Sequence, residues 1–263
     1  MKYNTRLGSG QSLDAELARL ISEVKAHPAK AELRIYLFQL LCVLGNWERA
    51  LQQLQVCAQL DAAAIPMAQT YREAIRCEIL RGEVFQGKRS PHFLGAPPEW
   101  GGMLAESLRL HATGSQEAAD TMRAEAFDMA EEVTCQVDDQ NAAWIADADS
   151  RLGPVCEIIV NGQYYWLPFS QIHELHLEPP EDLRDFVWLP VQLTLVNGGE
   201  HVALVPSRYP GSEAVADDQI KLGRLTDWQG IGEEAWRGLG QRVWISDLGE
   251  HPLLAVRKLT VLA

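Results

Sequence analysis

His173-Glu174-Leu175-His176 has the composition of a metal site. In zinc proteases the two histidines of H-E-x-x-H bind the metal and the glutamate serves as general base, because four residues apart on a helix both imidazoles share a face. Here the histidines are three apart. The flanking Ile172, Leu175 and Leu177 read as a strand, in which positions three apart point to opposite faces. Asp147-Ala148-Asp149-Ser150-Arg151 opens like a calcium loop, yet a cation stands at the fifth position and Leu152 where such a loop needs glycine. A structural role is expected there, with Arg151 pairing an aspartate and Gly153-Pro154 turning the chain. No phosphate-binding loop, dinucleotide fingerprint or nucleophile elbow occurs, so no cofactor is expected. Ser207–Glu213 is a polar turn in which Arg208 and Tyr209 are candidate loop contacts.

The five cysteines, Cys42, Cys57, Cys77, Cys135 and Cys156, form no C-x-x-C pair, and three fall within helical apolar patterns. Buried free thiols in a reducing cytosol explain them better than disulfides or zinc. With a net charge of −13, the chain has no general basic surface for nucleic acid. Nothing resembles a signal peptide, and no apolar run is long enough for a membrane span. A cytoplasmic protein that touches neither membrane nor nucleic acid is expected.

What must position any site is a set of helices followed by strands. Ser12 caps a helix with Leu13, Leu17, Leu20, Ile21 and Val24 on one stripe and Glu16 and Glu23 outside it, stopped at His27-Pro28. The first eleven residues are expected to be a loose arm. From Glu32 to Asp61 two amphipathic helices hinge at Gly45-Asn46, with Asn46 as the second helix's cap and small Ala50 and Cys57 allowing close approach. This resembles one tetratricopeptide repeat. Gly114, Ala119 and Ala126 repeat the offsets of Gly45, Ala50 and Cys57 in a second pair. Between the pairs, a helix opens at Ile65-Pro66 and buries Tyr71, Ile75 and Ile79, and a proline-bearing loop spans residues 88–98.

Beyond about residue 136 the signals become strands and turns. Residues 155–160 and 163–168 flank Asn161-Gly162, a strong hairpin signal. Val191, Leu193 and Leu195 alternate with Gln192, Thr194 and Val196, which suits a sheet with one buried face. Strands are also expected at residues 201–206, 243–245 and 258–262, with a turn and short helix over Trp228–Trp236. Six of eight tryptophans fall in this half, consistent with a Trp-rich core. The fold class is therefore α+β: a TPR-like helical-hairpin domain over residues 1–136, then a mostly antiparallel β domain over residues 137–263, as a small barrel or an open sheet.

With no chemistry assignable, interaction remains. A groove in the helical layer suits a peptide or amphipathic helix. Arg34, Arg72 and Arg76, with Tyr71 beside the last two, are the candidate partner-binding residues. The competing reading pairs these arginines with Glu32, Glu73 or Glu78 on a wet surface, where such pairs contribute little. LRIYLFQLLCVLGNWERALQQL, PMAQTYREAIRCE, WIADADSRLGP, VNGQYYWLPF, EPPEDLRDFVW and SRYPGSE, in this order, resemble the ImpE/TagJ (SciE-type) family, encoded with bacterial type VI secretion systems. The resemblance implies an accessory protein and not an enzyme. It further implies association with the N-terminal helix of the small sheath subunit TssB and, through it, with the ATPase ClpV. Individual contact residues do not carry over. Two other readings stay open: an enzyme in which Asp147, Asp149 and His173 or His176 converge on a metal, and a self-associating scaffold or homodimer.

Overall fold

A computed structural model describes residues 12–262. The expected loose arm over the first eleven residues lies outside them. Six helices come first: α1 (Leu13–Ala26), α2 (Ala31–Val43), α3 (Trp47–Leu60), α4 (Ile65–Phe85), α5 (Glu99–Ala112) and α6 (Gln116–Met129). The strands follow: β1 (Cys135–Val137), β2 (Gln140–Ala142), β3 (Ile145–Asp147), β4 (Val155–Val160), β5 (Gln163–Pro168), β6 (Ile172–Leu177), β7 (Trp188–Leu195) and β8 (Glu200–Pro206). After a one-turn helix α7 (Asp218–Lys221) come β9 (Thr226–Gly232), β10 (Ala235–Gly240), β11 (Val243–Ser246), β12 (Gly249–Pro252) and β13 (Lys258–Val261).

The helical punctuation follows local chemistry. The Ser12 hydroxyl accepts from Ala15 N–H at the start of α1. Gly45 and Gly114 each take a left-handed φ, +69° and +82°, between paired helices. Ala50, Cys57, Ala119 and Ala126 are fully buried, so the α2–α3 and α5–α6 hairpins close on small residues at matching offsets. Asn46 occupies the N-cap of α3, although its side chain makes no capping bond. Two helical expectations need correction. Glu16 is buried, not outside the stripe, because Arg19 forks onto it at 2.6 and 2.7 Å. Ile79 is 46% exposed, because α4 turns Cys77 and Arg81 toward the sheet instead.

Eight strands form one antiparallel sheet in the order β2-β1-β13-β6-β7-β8-β4-β5. Its end strands do not pair with each other, so the sheet is open and the barrel alternative falls. The outer edge of β5 is covered by the 88–98 loop, where Trp166 N–H donates to His92 O (2.8 Å) and Leu94 N–H to Trp166 O (3.1 Å). One face is apolar throughout: Cys156, Ile158, Leu175, Val191, Leu193, Val205 and Leu259 pack under Trp244, Leu253 and Val256, beside the small sheet β12-β11-β3. On the other face Val155, Ile159, Tyr164, Trp166, Trp188 and Leu204 join the core of the helices. Trp166 and Trp188 thus belong to the seam with the helices, and Trp188 lies 5.9 Å from Trp47 between ring centroids.

The turn and short helix expected over Trp228–Trp236 is instead the β9–β10 hairpin. Four glycines (Gly230, Gly232, Gly238, Gly240) interrupt the side-chain alternation that would have marked two strands. Gly238 is required there, since a Cβ would enter the Tyr209 ring.

Candidate docking site

The titratable residues that could do chemistry are gathered beneath α4. Arg81 forks onto Glu157 of β4 at 2.7 and 2.8 Å, and Arg242 bonds both Glu157 and, at 2.5 Å, Asp147. The Tyr164 hydroxyl donates to Glu157 and accepts from Trp166 Nε1. Tyr209 Oη lies 3.1 Å from Asp147 Oδ1, which also accepts from Asp149 N–H. Asp149 is closed by Arg151 (2.8 and 2.6 Å) and by Gly238 N–H (3.0 Å).

Every oxygen of Asp147, Asp149 and Glu157 is therefore taken, and all three residues are buried. Burial acts to raise the Glu157 pKa, but Arg81 and Arg242 hold it down to about 2. Burial dominates at Asp147 and pushes it up to about 6 against the opposing pull of Arg242. A saturated cluster of this kind has no open position for a nucleophile or a ligand. Its chemistry is cohesion of α4, β4, β3 and the segment before β11.

The histidines do not converge on these aspartates. His173 is exposed in a bulge of β6 between Ile172 and Glu174, whereas His176 shares Glu174 with Lys258 at 2.6 Å each. The Asp147/Asp149 pair is enclosed by arginines on the helix side. Among the described residues no three histidine, cysteine or carboxylate groups are placed to hold a metal ion.

The open surface is a groove. Helices cover β4, β5 and the Trp188 and Leu204 ends of β7 and β8 on their face of the sheet; the rest of that face carries Val202, Gln192, His176, Glu174, Lys258 and Thr260. Where α4 meets the uncovered half, a cavity of about 500 Å³ opens. Its floor is Ile159, Pro190, Val202 and Leu204, and its wall is Gln69, Thr70, Tyr71 and Glu73. Register explains the floor: Val202 pairs with Gln192 and Leu204 with Pro190 and Ile159, so alternate residues of three strands form one patch. Val202 is 82% exposed, an unusual position for a β-branched side chain.

Of the sequence candidates, Tyr71 lines this groove. Its ring packs on Phe38 and Trp188, the Arg184 guanidinium lies over it at 4.6 Å, and burial pushes its hydroxyl up to about 12. Arg72 and Arg76 stand on the same helix, half-buried and exposed respectively, and Arg76 pairs with Glu73 at 2.8 Å. Arg34 lies apart on α2, donating to Pro28 O and Gln53 Oε1, both at 3.0 Å. Arg208 and Tyr209 are turned inward. Arg208 donates to the carbonyls of Cys42, Val43 and Lys221, at the C-terminal ends of α2 and α7. Ile159, Pro190, Val202 and Leu204 are not among the sequence candidates, although Val202 and Leu204 alternate in a strand expected at residues 201–206.

A class of protein fits this arrangement: an α+β fold with a sealed polar interior and an apolar groove at its surface. The ImpE protein family model matches residues 139–260. Over 247 residues, covering 94% of this chain and 86% of the relative, the sequence is 50% identical to the type VI secretion system accessory component TagJ of Pseudomonas aeruginosa. The crystal structure of protein VPA1032 from Vibrio parahaemolyticus superposes with a TM-score of 0.87 at 28% identity, covering 95% of this chain and 94% of that one. The chain belongs to the ImpE/TagJ family. No helix among its described residues is long and apolar enough to cross a membrane.

Proposed function

We propose that this protein is a non-catalytic, cytoplasmic accessory component of a bacterial type VI secretion system, and that it holds the N-terminal helix of the small sheath subunit TssB in the groove between α4 and the sheet. Through that helix it modulates handling of the contractile sheath by ClpV. The relative's description as an accessory component supports the system. The observation that carries the mode of action is the groove itself: an apolar floor with a helix along one wall leaves room for a second helix beside the first. An amphipathic helix would set its apolar face on Ile159, Pro190, Val202 and Leu204 and its polar face toward Glu73 and Arg76.

Calorimetric titration with a synthetic TssB N-terminal peptide tests this. Binding at tens of micromolar or tighter is expected, with Val202→Glu reducing it about tenfold or more. Absence of binding in that range would remove the proposal. Unchanged affinity in V202E and in a double Arg72→Glu, Arg76→Glu variant would move the site off this groove.

A further inference from the structure

We infer that the seam between the C-terminal end of α6 and β3 is a second docking surface, one that takes a cationic amphipathic helix of a partner protein. Two clefts of about 360 and 370 Å³ lie on either side of Glu131 and Glu132, which border both. One presents Phe127, Ala130, Trp144, Pro154 and Ile245; the other presents Val133, Val196 and Leu262. No lysine or arginine lines either.

The acids between them are electrostatically misplaced. Asp128 stands in the last turn of α6, which has no basic residue, and Glu131 and Glu132 follow directly. All three, and Glu125 one turn earlier, are exposed, and among the described residues their side chains have no ion-pair or hydrogen-bond partner. The end of a helix carries partial negative charge, so carboxylates there repel it and one another. A cation seated on this ridge relieves that repulsion, while apolar side chains on either side fill the clefts. The same charge disfavours an anionic lipid surface or nucleic acid.

The occupant is a helix and not an added strand. The outer edge of β3 is only three residues long and is bridged at Asp147, whose N–H donates to Gly153 O at 2.7 Å, which leaves no run of free groups for a strand to extend. This surface does not depend on the groove beside α4, from which it shares no lining residue.

The test uses the full chain and a fluorescently labelled 14-residue Leu/Lys amphipathic helical peptide, with a Leu/Glu peptide as comparison, read by anisotropy. The charge variant is Glu125→Gln, Asp128→Asn, Glu131→Gln, Glu132→Gln. A control removes the same charge elsewhere: Asp14→Asn, Glu32→Gln, Glu48→Gln, Glu117→Gln. Saturable binding of the Lys peptide is expected, weakened about tenfold in the charge variant and less than about twofold in the control. Trp144→Ala weakens it similarly, and Ala130→Glu on the cleft lip serves if W144A unfolds early; Val202→Glu leaves it unchanged. Equal losses in charge variant and control, indifference to the cleft substitutions, dependence on Val202, or no saturation by about 100 µM would each overturn the inference.

Discussion

One face of the large sheet is used in two different ways. Over β4 and β5, charged residues are sealed beneath α4: Glu157, Arg81 and Arg242 are at most 1% exposed and saturate each other's hydrogen bonds. Over β6 and β13 the same face carries Glu174, His176 and Lys258 in a ladder open to water. Similar residue types thus do opposite work according to cover. Under the helix, desolvation makes each lost partner costly, so the cluster fixes where α4 sits. In the open half, ion pairs are screened and exchangeable, which leaves the surface free for a partner. The groove lies on the border, and its shape depends on the covered half holding α4 in place.

The contrast is broken most severely by Glu157→Ala, which removes the carboxylate shared by two buried guanidinium groups and leaves Arg81 with Glu78 and Arg242 with Asp147. A loss of about 3–5 kcal/mol in urea-monitored unfolding is expected. A loss no greater than that of a surface pair would mean the cluster does not hold the layers together. Gly238→Ala drives a methyl into the Tyr209 ring and displaces the hydroxyl that meets Asp147. It should cost about 1–3 kcal/mol.

A pH comparison sharpens the same point. Between about 4 and 6 folded Asp147 keeps a proton that the unfolded chain has released, so its contribution to stability falls as pH rises through that window. Glu157 has the opposite sign: its contribution is present above about 4.5 and is lost as pH falls toward 2. The stability advantage of the wild type over Asp147→Asn should therefore be larger at pH 4.5 than at pH 7, and a constant difference would contradict the assignment. At the open end of the scale, Glu73→Ala removes the pair with Arg76, whose side chains are 39% and 64% exposed. Less than about 1 kcal/mol should be lost.

The helical layer was legible because its signals are local. Ser12, Gly45, Gly114, Ile65-Pro66 and the apolar stripes each act within a turn or two of chain, and Asn161-Gly162 marks its hairpin in the same way. The polar cluster was not. Its pairs join residues 76, 85 and 95 positions apart, and only the fold brings them together. One trace was available: Glu157 interrupts the apolar run Val155–Val160, and a lone carboxylate in a buried strand demands a partner. Of that cluster, the sequence points only to the local pairing of Arg151 with an aspartate, which is Asp149. The groove was half legible. Tyr71, Arg72 and Arg76 pointed to α4, but the floor needs the register of β4, β7 and β8, which no single stretch encodes.

Hydrogen exchange of the full chain with and without the TssB N-terminal peptide tests the central claim most directly. The account predicts slowed exchange confined to residues 69–73, 159–162 and 202–204, on both sides of the groove. Protection centred elsewhere, or none at a peptide concentration that saturates binding, would contradict it.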